Sequence, residues 1–165
     1  MTASRRGPLG GVLAALCVAA VAACGDSGTD TQWETVEGVT YADSLDIDLA
    51  TFSETADTPS VWYKDIVVGT GDSALIGDTM YIHYTGWLRT GQQFDAGQFS
   101  FVFWDARTAI GGMHLGSRGL LEGGERKLII PPEWAYGPSQ VGPIYPGAVL
   151  VFDVILDSIG HDTIP

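Results

Sequence analysis

Asp78-Thr79-Met80-Tyr81-Ile82-His83-Tyr84-Thr85-Gly86-Trp87-Leu88 alternates in character. Met80, Ile82 and Tyr84 fall on one side, Tyr81 and His83 on the other. A period of two reads as a β-strand with one buried face. Arg89-Thr90-Gly91 turns the chain, Gln92 to Asp95 begins the return, and Phe99, Phe101 and Phe103 alternate again. Upstream, residues 61–68 are rich in Val, Ile, Trp and Tyr and end at Gly69-Thr70-Gly71-Asp72. Gly69-x-Gly71 lacks a third glycine and no helix follows it, so it reads as a turn rather than a nucleotide loop. Downstream, Ala109, Ile110, Met113 and Leu115 follow no period of two, which predicts a short helix within 109–118. Gly111, Gly112 and Gly116 weaken it by about 1 kcal/mol each relative to Ala. Gly123-Gly124 leads into a strand over 125–130, which Pro131-Pro132 stops. Residues 148–159 form the last strand, with Leu150, Phe152, Val154 and Leu156 on one face and Asp153 and Asp157 on the other. Many strands and one short helix predict an α+β domain, a twisted antiparallel sheet wrapped around that helix.

The N-terminal part has another character. Arg5 and Arg6 precede an unbroken run of fifteen small and apolar residues, 9–23. A membrane-spanning helix needs about 20, so the run predicts a secretory signal. It ends in Val21-Ala22-Ala23-Cys24, which resembles a bacterial lipobox with Cys24 as the lipid acceptor. Arg5-Arg6 also fits a twin-arginine export signal. Cys17 would leave with the signal, so no disulfide is expected. The domains expected are a signal peptide over 1–23, an acidic tether and partly docked extension over 24–60, a folded domain over 61–160 and a tail over 161–165. Within the extension, Leu45, Ile47 and Leu49 alternate as a short edge strand would.

The formal charge is −12. Residues 24–60 hold nine acids and no Lys or Arg, and residues 61–165 hold eleven acids and six bases. That balance argues against nucleic acid, which rewards a basic face. His83, His114 and His161 have no metal-ligand spacing, so no metal and no cofactor is expected. No serine has a nucleophile elbow around it, and no Walker-type loop is present. What remains is a set of aromatic and aliphatic residues on separate strands and loops, among them Tyr84, Phe94-Asp95, Trp134-Ala135-Tyr136 and Phe152. Buried hydroxyls and carboxylates need partners, so Tyr84, Asp95 and Tyr136 read as more than core.

Four blocks then carry a resemblance: His83-Tyr84-Thr85-Gly86-Trp87-Leu88; Gly91-x-x-Phe94-Asp95; Gly123 through Gly137, with Ile130-Pro131-Pro132-Glu133-Trp134-Ala135-Tyr136 at its end; and Leu150-Val151-Phe152-Asp153-Val154. In order and spacing they resemble the FKBP family of peptidyl-prolyl cis-trans isomerases across residues 61–160. The resemblance implies a non-covalent isomerase that twists X-Pro amides in an apolar aromatic pocket, with proline-containing polypeptides as substrates. It implies that Tyr84, Asp95 and Tyr136 are the polar catalytic groups. Phe94, Ala109, Ile110, Met113, Ile144 and Phe152 would bind substrate, with Phe101 or Phe103 as a further wall.

Two departures from the family pattern stand out. Met113 occupies the floor position where the family usually has Trp, and only Ala96-Gly97-Gln98 separates Asp95 from Phe99, where the family carries a longer bulge. These predict weak or narrow activity and admit a second reading, a non-catalytic prolyl-peptide-binding or chaperone module on the same fold. The segment around Cys24 predicts an exported protein attached to the cell envelope by its lipid. Gly25 after the Cys points to the periplasmic face of the outer membrane where there are two membranes. No dimerisation helix is evident, so a monomer is expected.

Overall fold

The structure is a computed structural model that describes residues 33–161. The stretch expected to be a signal peptide, Cys24, the first part of the expected tether and residues 162–165 of the expected tail lie outside the described residues. Six strands follow in chain order: β1 Ser53–Glu54, β2 Trp62–Val67, β3 Thr79–Leu88, β4 Gln93–Val102, β5 Glu125–Ile130 and β6 Leu150–Gly160. One helix, α1 Gly111–Gly116, lies between β4 and β5. The strands form one sheet in the order β1-β2-β5-β6-β3-β4, with every pairing antiparallel. This is the α+β arrangement that the strand periods predict.

The alternation of β3 and β6 explains the core. Met80 and Ile82 of β3 and Leu150, Val154 and Leu156 of β6 are at most 1% exposed and meet Phe101, Leu128 and Ile130 in one cluster. The glycines that weaken α1 allow it to lie close to the sheet. A Cβ on Gly112 would stand 2.2 Å from Ile130 Cγ2, and one on Gly116 2.7 Å from Leu128 Cδ2. Arg126 of β5 secures the far end of the helix. Its guanidinium donates to the Gly116 carbonyl at 2.9 Å, the Arg118 carbonyl at 2.8 Å and Asp65 at 2.6 Å. A cation at a helix C-terminus satisfies carbonyls that have no partner within the helix.

Residues 33–60 lie on the domain. Ile129, Val149 and Val151 are fully buried although they face away from the main core. Their cover is Val36 and Leu45, with Tyr41, Leu49 and Phe52 packed at the margin. Burying such a side chain is worth about 1.5–3 kcal/mol. The edge strand predicted over Leu45, Ile47 and Leu49 does not form. Two 3-10 turns, Asp43–Leu45 and Leu49–Thr51, occupy that stretch instead. Asp46 takes a left-handed conformation at φ 49°, and the Asp48 carboxylate accepts the Ala50 N–H at 3.1 Å. Short acidic side chains that bond nearby backbone favour turns over extended chain. The edge strand on this side of the sheet is β1, paired with Trp62 and Tyr63.

A polar latch holds the start of this extension. Glu34 accepts from Arg89 Nε at 2.5 Å, from the Tyr145 hydroxyl at 2.7 Å and from the Val149 N–H at 2.9 Å. Its own N–H donates to the Gly147 carbonyl at 2.9 Å.

Candidate active site

A cleft of about 610 Å³ opens on the inner face of the sheet between β3, β4, β6 and the start of α1. Tyr84 comes from β3, Phe94, Asp95 and Phe99 from β4, and Phe152 from β6. Ala109, Ile110 and Met113 come from the approach to α1 and its first turn, and Ala135 and Tyr136 from the segment after the 3-10 turn Pro132–Trp134. Pro131 and Pro132 end β5 and set this turn, since neither can continue a sheet ladder. The Trp134 indole N–H donates to the Pro59 carbonyl at 2.7 Å and holds the turn down.

The aromatic rings form a continuous wall. Phe94 meets Phe152 edge to face at 5.5 Å between centroids, and Tyr84 lies 6.3 Å from both Phe152 and Phe99. The first contact depends on Gly86. A Cβ there would lie 2.6 Å from the Phe94 ring and 2.9 Å from the Phe152 ring. Met113, 5% exposed, lines the cleft together with these rings. Its thioether is apolar and adaptable but offers no flat surface.

One edge of the cleft is polar. The Tyr84 hydroxyl donates to Asp95 Oδ2 at 2.7 Å, and the Ala96 N–H donates to Oδ1 at 2.9 Å. Both carboxylate oxygens are therefore engaged and the carboxylate is fixed. Burial, the hydrogen bond to Asp95 and the charge of Asp95 push the Tyr84 phenol from 10.0 up to about 12. Burial, then the charge of Asp95, raises the Tyr136 phenol as well. Both hydroxyls are therefore neutral donors at ordinary pH. The Ile110 N–H makes no backbone hydrogen bond among the described residues.

Eight of the residues singled out in the sequence thus meet in one cleft: Tyr84, Phe94, Asp95, Ala109, Ile110, Met113, Tyr136 and Phe152. Phe101, Phe103 and Ile144 do not line it. They are 2%, 5% and 4% exposed and belong to the core. Phe101 lies behind Phe99, stacked at 6.0 Å, and Phe103 follows the end of β4 and packs on Trp104 and His114. The wall on this side is Phe99, 40% exposed. All three phenylalanines share one face, so alternation alone does not say which is nearest the cleft. The signal that separates them is the short Asp95–Phe99 spacing. Without a bulge, β4 stays in register with β3 from Val102 to Asp95, and Phe99 pairs with Ile82.

Sequence reasoning also missed Arg107, at the cleft rim and ion-paired with Asp105 at 2.8 Å. The histidines are dispersed. His83 pairs with Asp157 on the outer face, His161 with Asp78, and His114 is buried against Phe101. Among the described residues no group of three or more His, Cys, Asp or Glu side chains converges as a metal site would require.

Comparison with known proteins agrees with this geometry. The family model described as FKBP-type peptidyl-prolyl cis-trans isomerase matches residues 71–157. Peptidyl-prolyl cis-trans isomerase FKBP15-3 of Arabidopsis thaliana is 37% identical over 128 residues, covering 74% of this chain and 85% of that protein. The FK506-binding protein of Neisseria meningitidis serogroup A is 37% identical over 102 residues, covering 59% of this chain and 94% of its own length. Among solved structures, AtFKBP13 aligns with a TM-score of 0.58 and 34% identity, over 65% of this chain and 97% of that one. FkpA from Escherichia coli aligns with a TM-score of 0.58 and 32% identity, over 65% of this chain and 51% of that one.

Proposed function

The chain belongs to the FKBP-type peptidyl-prolyl cis-trans isomerase family, and we propose that it isomerises X-Pro bonds of exported polypeptides from a lipid anchor at Cys24. The observation that carries the catalytic reading is the aromatic cleft with the Tyr84–Asp95 pair along its edge. Rotation about a peptide bond faces a barrier of about 18–20 kcal/mol, set by amide resonance. Resonance and charge separation fall as the amide twists. A dry apolar wall therefore disfavours the planar amide more than the twisted one, which is differential binding of the transition state. A gain of about 5 kcal/mol is roughly four decades in rate.

Phe94, Phe99 and Phe152 grip the proline ring over Met113. The Tyr136 hydroxyl and the Ile110 N–H donate to substrate carbonyls. Asp95, held by Tyr84 and the Ala96 N–H, orients the chain at the rim. No bond is broken and no proton is transferred, so neither a nucleophile nor a metal is required. Acceleration of a proline-limited refolding reaction tests the activity. The absence of acceleration together with the absence of prolyl-peptide binding rules it out.

The anchor rests on the charged start, the apolar run and the Val21-Ala22-Ala23-Cys24 ending. Loss of Arg5 and Arg6 with the signal would take the formal charge from −12 to −14. Cys24→Ser should abolish incorporation of labelled fatty acid and release the protein from the membrane fraction. An unchanged membrane fraction would overturn the anchor and leave the isomerase reading intact. The enzyme acts as a monomer at the envelope, to be checked by sedimentation and by fractionation.

A further inference from the structure

The sheet ends at β4. Its pairing with β3 runs without interruption from Thr79↔Val102 to Gly86↔Asp95. Three hydrogen bonds, at two positions, fix which of its backbone groups face away from the sheet. The Val102 carbonyl accepts from the Thr108 hydroxyl and the Asp105 N–H, each at 3.1 Å, and the Ala96 N–H donates to the Asp95 carboxylate. In an antiparallel ladder both backbone groups of alternate residues point the same way. Gln98 and Ser100, between these two positions, therefore turn their N–H and C=O groups outward. Among the described residues no backbone group bonds to them from that side. A free edge of this kind is a template for another strand.

Both flanks of the edge are hollow. On the inner face is the cleft, with Phe99 and Asp95 of β4 in its lining. On the outer face is a depression of about 380 Å³ lined by Tyr81, Gln98, Ser100, Asp157 and Ser158, and Phe99 borders this one too. An added strand sends alternate side chains to opposite faces. One set would meet Phe99 and the other the outer depression, where Gln98 and Ser100 offer polar groups.

We propose that an extended flank of the polypeptide held in the cleft pairs with β4 as a seventh strand. This is strand addition, in which main-chain hydrogen bonds supply affinity and side-chain hollows supply preference. It rests on the cleft being the prolyl site, and the shared Phe99 makes edge and cleft one continuous surface. The preferred flank alternates an apolar residue, toward Phe99, with a polar residue, toward Gln98 and Ser100. Substrate choice thus extends beyond the residues beside the proline.

The test uses the full chain and two synthetic substrates, a proline tetrapeptide and the same sequence with a six-residue alternating flank. The flank should raise kcat/KM roughly tenfold, about what one or two net hydrogen bonds supply. N-methylation of alternate flank amides should remove the gain in one register and leave it in the other. Ser100→Pro removes an outward donor at a position where an edge strand tolerates proline. It should lower turnover of the long substrate to that of the short one and leave the short one unchanged. A gain indifferent to methylation register, or no gain at all, overturns the proposal. If Ser100→Pro fails to fold, the methylation series decides. Peptide-dependent protection of the Gln98 and Ser100 amides from exchange is read separately, so an inactive protein that still protects them keeps the edge and loses the isomerase. Protection that grows with protein concentration without peptide assigns the edge to a second copy instead and overturns the proposal.

Discussion

Gly86 has no space for a methyl group, because the Phe94 and Phe152 rings already fill it. Gly86→Ala should push Phe94 toward the cleft. Overpacking of this size costs about 1–3 kcal/mol, and we expect kcat/KM for prolyl peptides to fall roughly tenfold while circular dichroism reports an intact sheet. Met113→Trp acts in the opposite direction. It restores a flat floor, and a gain of about 1 kcal/mol in transition-state binding would raise kcat/KM about fivefold; a peptide assay on the two proteins side by side checks it. The Tyr84 phenol, raised from 10.0 to about 12, stays neutral. Peptide turnover should therefore show no tyrosine ionisation below about pH 10. The same shift bears on stability. Because the folded value exceeds the unfolded one, the contribution is full below pH 10 and is lost as pH rises to about 12. Melting temperatures across that window should fall less steeply for Tyr84→Phe. At this scale the sequence was informative where residue type was unusual for its place, as at Tyr84 and Asp95. It pointed to Phe101 or Phe103 for the wall and passed over Phe99, because one face carries all three side chains and their alternation does not rank them.

At the scale of elements, the extension over residues 33–52 is where sequence and structure diverge most. Its alternating Leu45, Ile47 and Leu49 have the period of a strand, but the aspartates between them bond locally and turn the chain. The signal for docking lay elsewhere, in β6. Val149 and Val151 are apolar on the face that Asp153 and Asp157 share, so that end of the strand needs a cover. Glu34 fastens the cover through Arg89, Tyr145 and the Val149 N–H, and its side chain is only 15% exposed. Hydrogen bonds to charged groups contribute about 1.5–3 kcal/mol each, and removing the carboxylate leaves a cation partly desolvated. Glu34→Ala should destabilise the protein by about 2 kcal/mol, measured by urea denaturation. Trp33 lies against Gly147 and approaches Gly137, the neighbour of Tyr136. Trp33→Ala should consequently raise KM for peptides more than it lowers kcat. A purely structural role would lower the melting temperature and leave KM in place.

On the scale of the whole molecule, four separated motifs and a consistent strand period made the architecture legible, because each strand's buried face could be read independently. The strand order could not be read that way, since it depends on pairings between residues far apart in sequence. β6, the last of the described strands in sequence, lies between β5 and β3. Without it, β1-β2-β5 and β3-β4 are two sheets with no shared ladder. Assembly therefore waits on β6: the two halves stay unjoined until residues 150–160 enter between them. Non-local closure of this kind is slow, so the insertion of β6 should set the pace of folding, and a stopped-flow refolding series with β6 variants would read it.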